Sequence, residues 1–357
     1  MRVTAADEAW ARFGDRTATG LRDVTSDLTA LDSAGWWAVV LPYDGAPVLA
    51  RFAEVRPSAA PVGRWTGPAT TDWVSSMSRE QYVAAVARVR EHIAAGTVYQ
   101  ANVCRVLEAR LPDGDAADVA GLASLLCVGN PAPLAGVVRL PAGAHDAVPD
   151  GGVSVVTASP ELFLRRRGSV VESGPIKGTG RTADDLSPKD SAENVMIVDL
   201  VRNDLGAVCR TGSVTVPHLL GLETHPGLVH LVSTVRGELR ADVGWSELLA
   251  ASFPPGSVTG APKSSALSVI DEVEPASRGP YCGAVGWVDA DARTAELAVA
   301  IRTFWLEGDL LRFGTGAGIT WGSDPEREWA ETELKAERLL SVASGRTDLA
   351  AWKAGGP

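Results

Sequence analysis

Seven short apolar runs limit what this chain can become: "PLAGVVRL" (133–140), "SVVTA" (154–158), "LFLRRRGSVVES" (162–173), "LVHLVSTVRGEL" (228–239), "YCGAVGWV" (281–288), "ELAVAIRTFWL" (296–306) and "LLRFGTGAGI" (310–319). Each is rich in β-branched or aromatic residues and bounded by glycine, proline or charged residues, the pattern of a strand. Helical patterns lie between some of the runs but do not alternate with them. A regular βαβ succession, and with it a parallel sheet, is therefore not expected. The pattern predicts an α+β protein with large, mostly antiparallel sheets.

Other segments fill in the frame. Residues 35–55, "GWWAVVLPYDGAPVLARFAEV", read as two strands joined at Asp44–Gly45. Residues 56–74 are rich in proline, glycine and threonine and read as a linker. "SREQYVAAVARVREHIAAG" places Tyr82, Val83, Val86, Val89 and Ile93 at helical spacing, with Ser78 as cap and Gly96 as stop. Two further helices open alike. "LSPKDSAENVMIVDLVRNDLG" has Ser187 at the cap and Pro188 first, and "SDPEREWAETELKAERLL" has Asp324 at the cap and Pro325 next. "VMIVDLV" is apolar nearly all round, so the first of these is expected to be buried.

Each of the two helices carries acids three apart near its start, Asp190 with Glu193 and Glu328 with Glu331. Such residues share a face. Capping, the helix dipole and a Glu331–Lys335 pair would account for them. Four carboxylates would also suit a hard cation such as Mg2+, which takes oxygen ligands. His92, His145, His218, His225 and His230 are scattered, which argues against a structural zinc.

Bulk properties exclude several classes. The 357 residues carry a formal charge of −11, against a protein that coats nucleic acid. The hydrophobic fraction of 45% supports a substantial core, yet no apolar run is long enough for a membrane helix. Four separated cysteines, Cys104, Cys127, Cys209 and Cys282, fit a reducing compartment. With no apolar signal segment at the start, a cytoplasmic protein is expected.

"GPIKGTG" (174–180) invites a phosphate-cradle reading, but a P-loop places its lysine after the second glycine and at the start of a helix. Here Lys177 precedes the glycine and no helical pattern follows. "GSVTGAPKSS" (256–265) fails in the same way, since Ala261 and Pro262 separate the glycine from Lys263. A turn with an exposed lysine, or a lysine nucleophile, remains.

Ten stretches, taken in order, resemble one family: "GTVYQANVCR" (96–105), "SPELFL" (159–164), "ESGPIKGTGRT" (172–182), "AENVMIVDLVRNDLG" (192–206), "HLVSTVRGEL" (230–239), "FPPGSVTGAPK" (253–263), "YCGAVGW" (281–287), "IRTF" (301–304), "GAGI" (316–319) and "SDPEREWAETELKA" (323–336). This looks like the chorismate-utilising enzymes, which include the first components of anthranilate and aminodeoxychorismate synthases and the isochorismate and salicylate synthases. The resemblance implies two subdomains with facing antiparallel sheets and helices outside. It divides the chain into a shortened N-terminal region contributing strands (1–74), a chorismate-binding catalytic region (75–345) and a tail (346–357).

Within the family, a lysine at position 177 marks aminodeoxychorismate synthase component I, where anthranilate synthases have alanine. The resemblance thus implies that Lys177 is a covalent nucleophile and Glu161 the general acid. Glu161 should then be held protonated near neutral pH. It implies Glu193 and Glu331 as Mg2+ ligands, with Asp190 and Glu328 as a second pair. Tyr281, Arg302 and the backbone of Gly316, Ala317 and Gly318 would hold a substrate carboxylate, with Lys335 assisting. Gly178 and Thr179 match a substrate-contacting pair, and His230 matches a histidine near the ring, though a core role suits it as well. No glutaminase pattern is visible, so ammonia is expected from a glutamine amidotransferase subunit or from solution. Another activity of the family, or a non-catalytic chorismate-binding subunit, are the alternatives.

Overall fold

The computed structural model describes residues 5, 8–58, 62–112, 118–180, 182, 185–186, 188–225 and 228–346. In chain order the first strands are β1 (Trp10–Phe13), β2 (Arg16–Thr25), β3 (Trp36–Leu41), β4 (Val48–Pro57) and β5 (Val74–Ser75). Then come α1 (Arg79–Ala94), β6 (Gln100–Arg110) and α2 (Val119–Gly129). β7 (Leu134–Leu140), β8 (Val153–Ser159), β9 (Leu162–Arg167), β10 (Val170–Gly174) and β11 (Ile176–Gly180) lead to α3 (Pro188–Gly206). β12 (Thr215–His225), β13 (Leu228–Glu238), α4 (Trp245–Ser252), β14 (Gly260–Ala261) and α5 (Lys263–Val273) follow. The last elements are β15 (Ala284–Asp289), β16 (Thr294–Val299), β17 (Thr303–Glu307), β18 (Leu310–Ile319) and α6 (Pro325–Ala343).

Every strand pairing among the described residues is antiparallel, and together they trace one path. One half runs β12, β13, β10, β9, β16, β15, β3, β4, β2. The tight β1–β2 hairpin carries the path into the second half, β1, β7, β8, β17, β18, β6, β5. β11 adds to β13, and β14 to β6. The protein is thus α+β, as the strand-rich pattern predicts.

The two halves face each other. The largest apolar cluster takes Trp37 and Val285 from one half and Val106, Val138 and Val155 from the other. Helices cover the outside. α2 and α6 pack on Leu107, Val137, Val156, Phe304 and Phe313, while α1 and α5 pack near Val103, Ala317 and Ile319. β6 is therefore covered on both faces, which is why its burial does not alternate. Each such fully buried aliphatic side chain contributes about 1.5–3 kcal/mol relative to exposure. No helix among the described residues is long and apolar enough to cross a membrane.

The helix ends follow the sequence signals. Ser78 and Gln81 form a capping box at α1, and Gly96 sits just past its end at φ +75°. Asp324 caps α6 by accepting from the Arg327 N–H, with Pro325 next. Ser187, expected to cap α3, lies outside the described residues. α3 differs from expectation. It buries Asn194, Ile197, Val198 and Leu205 on one face but leaves Val195 39% exposed. The reason is its place as an outer layer over β11, β12 and β13, with α4 beside it.

Candidate active site

Two of the chain's crossings between the halves of the sheet lie side by side. Glu161 lies in the crossing from β8 to β9, and Arg302 in the crossing from β16 to β17. The crossings are stitched together: the Val299 N–H donates to the Glu161 carbonyl at 3.0 Å, and the Ala158 N–H donates to the Arg302 carbonyl at 3.0 Å. Arg302 adopts φ +52°, a conformation costly for any residue with a Cβ that a packed surrounding must enforce. Both side chains are thereby turned to a common place.

Lys177 reaches that place from β11. Its Nζ donates to the carbonyl of Ser257 at 3.1 Å, and the Ser257 hydroxyl donates to the Glu161 carboxylate. One serine therefore touches both the amine and the acid. Glu161 is only 4% exposed. Burial pushes its carboxyl above the ordinary range, and the Ser257 hydrogen bond, the Lys177 charge, the Ile176 N–H and the Arg302 charge only partly offset this. A raised carboxyl beside a lysine is the pairing that acid-assisted nucleophilic chemistry requires. A cavity of about 20 Å3 lies against Glu161 and Ser257, room for one molecule the size of water. Burial, then the neighbouring Arg338, push the Arg302 guanidinium down, while Glu161 opposes them.

Gly178 continues the β11 wall at φ +77°. A Cβ there would lie 2.9 Å from the Asp190 Cβ, so no larger residue fits without movement. Thr179 pairs with His230 on β13; its side chain lies outside the described residues. His230 is 2% exposed, next to the strand that carries Lys177.

The opposite wall is strand backbone and neutral amides. Gly316 and Gly318 of β18 lie against β6, where a Cβ would stand 2.6 Å from the Cys104 Sγ and 2.5 Å from the Gln100 Nε2 respectively. Ala317 points its methyl the other way, toward α1 and α5, so only its backbone serves this side. Gln100 is 1% exposed, yet neither of its amide atoms has a hydrogen-bond partner, and the Asn102 Oδ1 likewise has none. Such groups are costly to bury unless something completes them. Lys335 donates to the Gly316 carbonyl at 3.1 Å and pairs with Glu331 at 2.6 Å. Tyr281 is buried with its ring over Gly314, and burial keeps its phenol protonated.

The expected metal ligands divide between two helices. Asp190 and Glu193 sit in the opening turns of α3, Glu328 and Glu331 in those of α6. The all-oxygen donor set fits Mg2+ in kind. Among the described residues no three such groups stand together as a preassembled cation site.

The structure thus brings together Glu161, Lys177 and Arg302, and separately Gly316, Gly318 and Lys335. Sequence reasoning did not single out Ser257, Gln100 or Asn102. A signal exists for the amides: Gln100 and Asn102 alternate with Ala101 and Val103 at the start of β6, which puts two polar groups on one buried face. Nothing comparable marks Ser257.

The comparisons agree with this architecture. The model of chorismate binding enzymes matches residues 48–341. The chain is 37% identical over 303 residues to aminodeoxychorismate synthase component 1 of Klebsiella aerogenes, covering 82% of this chain and 64% of that one. It is 45% identical over 204 residues to anthranilate synthase component 1 of Saccharolobus solfataricus, covering 54% of this chain and 48% of that one. The chain therefore spans about half to two thirds of the length of these relatives. A 2,3-dihydroxybenzoate-specific isochorismate synthase from Bacillus anthracis superposes with a TM-score of 0.75 at 25% identity, over 95% of this chain and 96% of that one. A match across most of the chain, together with the shared fold, makes this protein a member of the chorismate-binding enzyme family.

Proposed function

We propose that the protein aminates chorismate to 4-amino-4-deoxychorismate, as component I of an aminodeoxychorismate synthase. The observation that carries the reading is Lys177, whose amine shares Ser257 with a buried, raised Glu161. Replacement of the C4 hydroxyl by ammonia with retention needs two displacements. In the first, the Lys177 amine forms a bond to C2, both conjugated ring double bonds shift one position toward C4, and the C4–O bond breaks. Glu161 gives its proton to the departing oxygen, which leaves as water. In the second, ammonia bonds to C4, both double bonds shift back, and the C2–Nζ bond breaks to release Lys177. The proton lost by nitrogen returns Glu161 to its acid form.

Arg302 and the backbone of Gly316 and Gly318 would hold a substrate carboxylate, with Tyr281 and Lys335 beside them. Gln100 and Asn102 would find their missing partners on the same substrate. Mg2+, held by Glu193 and Glu331 with Asp190 and Glu328, would neutralise acids that otherwise repel a dianion. Residues 75–345 would form the catalytic region, with 1–74 supplying strands. A glutamine amidotransferase subunit would supply the ammonia, in the cytoplasm. The product would serve p-aminobenzoate formation.

A second reading is anthranilate synthase component I, favoured by the 45% identity to a protein of that name. One experiment separates them. Purified protein with chorismate, Mg2+ and ammonium should yield 4-amino-4-deoxychorismate, identified by mass and by conversion to p-aminobenzoate with an added lyase. Fluorescent anthranilate as the product would overturn the proposal.

A further inference from the structure

Beneath the serine shared by Lys177 and Glu161 lies an ion pair that the chemistry does not use. Arg278 is 1% exposed and Glu274 6%, both on side-chain area, and they bond through two contacts of 2.8 and 2.6 Å. The guanidinium has two further bonds, to the Val258 carbonyl at 3.0 Å and to the Asn102 carbonyl at 3.3 Å. Val258 follows Ser257, and Asn102 is on the gripping wall. Glu274 in turn accepts the Cys104 N–H at 2.8 Å. The Asn102 N–H donates to the Thr259 carbonyl at 2.7 Å, so the 256–261 segment lies along β6 at this point. The arginine is itself fixed: its N–H donates to Asp44 at 2.7 Å and its guanidinium stands 4.4 Å from the Tyr43 ring centroid.

We propose that the Arg278–Glu274 pair is the positioning element of the active site, holding the Ser257 segment against β6 so that the reactive and gripping walls keep one fixed separation. The assignment rests on the amination reading for its catalytic readout. A planar fork is what the task requires, since one group must bond a carboxylate and two carbonyls at set angles. A lysine can keep the charge but not the geometry.

The test compares Arg278→Lys with Arg166→Lys. Arg166 is another buried arginine, paired with Asp32 and lying over Trp245, away from Ser257. In Arg278→Lys, kcat for chorismate should fall on the order of 10²-fold, the loss typical of a displacement of about 1 Å, with chorismate affinity little changed. The alkaline limb of the kcat profile should also move to higher pH. Glu161 faces Lys177, Arg302, the Ser257 hydroxyl and the Ile176 N–H, and loss of the Ser257 bond keeps its proton on longer. Arg166→Lys should lower the melting temperature and move neither readout.

A third measurement needs no turnover. Lys177, no longer held at the Ser257 carbonyl, should react faster with trinitrobenzenesulfonate in Arg278→Lys, scored by peptide mass. An Arg278→Lys protein that folds and matches the parent in kcat, pH limb and Lys177 labelling overturns the proposal. If Arg278→Lys does not fold, Glu274→Gln is read by the same measures, and parental values there overturn it too. A parent that consumes no chorismate overturns the functional reading alone, and Lys177 labelling then decides this one.

Discussion

The two walls of the site are made of different material. The wall with Lys177 and Glu161 offers side chains that gain, lose or share protons, set in a chain crossing and a strand whose register shifts at Lys177. The wall with Gly316, Gly318, Gln100 and Asn102 offers backbone and neutral amides, set in straight strands. The difference separates two tasks. A reactive group must be tuned, and burial at a crossing tunes Glu161. A gripping group must only be still, and a strand covered on both faces is still. Substitutions on the first wall should therefore reach kcat, and those on the second KM.

The sharpest break of that contrast is Lys177→Ala. Removal of the proposed nucleophile should cut amination by more than about 10⁴-fold while chorismate still binds, as measured by turnover and by calorimetric titration. Retention of full activity would discard the covalent route. Glu161→Gln comes next, with a loss of about 10²–10⁴-fold in kcat. This variant also reads stability. The Glu161 carboxyl is raised in the folded chain, so between its unfolded and folded values the folded state binds more protons. Stability from this group then falls as pH rises through that window. Thermal melts should show Glu161→Gln more stable than the parent near pH 8, with the advantage gone near pH 4.

Gln100→Ala tests the other wall. It should raise KM by roughly tenfold, the worth of one or two hydrogen bonds, with kcat within about threefold. A fall in kcat alone would move Gln100 to the reactive wall. The smallest effect is expected on folding from Glu331→Gln. Its pair with Lys335 is half exposed, so urea melts should shift by about 0.5 kcal/mol or less. The Mg2+ concentration needed for half-maximal turnover should nevertheless rise. An unchanged requirement would remove Glu331 from the ligand set.

Much of the frame was legible because its signals are local. Ser78 with Gln81, and Asp324 with Pro325, announce helices within four residues of themselves. Strand existence could be read from short β-branched runs, and the Asp44–Gly45 turn from its dipeptide. The one-sided burial of α3 was not legible, since "VMIVDLV" carries apolar residues on the exposed face as well. Ser257 was illegible for another reason. Its partners, Lys177 and Glu161, are about 80 and 100 residues away, and its bond to Lys177 uses a carbonyl that every residue has. Arg278 escaped likewise, because its worth lies in bonds to Val258 and Asn102 that only the tertiary fold creates.

The single strand path has a consequence for how the molecule comes into being. β3, near the start of the chain, pairs with β15, which places Trp36 beside Asp289, and β1 pairs with β7. The earliest strands thus form the keystone between two arcs that are synthesised later. Contacts spanning about 250 residues close slowly, because loop entropy is lost before they repay it. Until they close, β7 and β15 each present an open edge to any other strand nearby. A nascent chain of this design should need β15 before β3 finds its place, and it is during that wait, rather than in the folded molecule, that it is most exposed to aggregation.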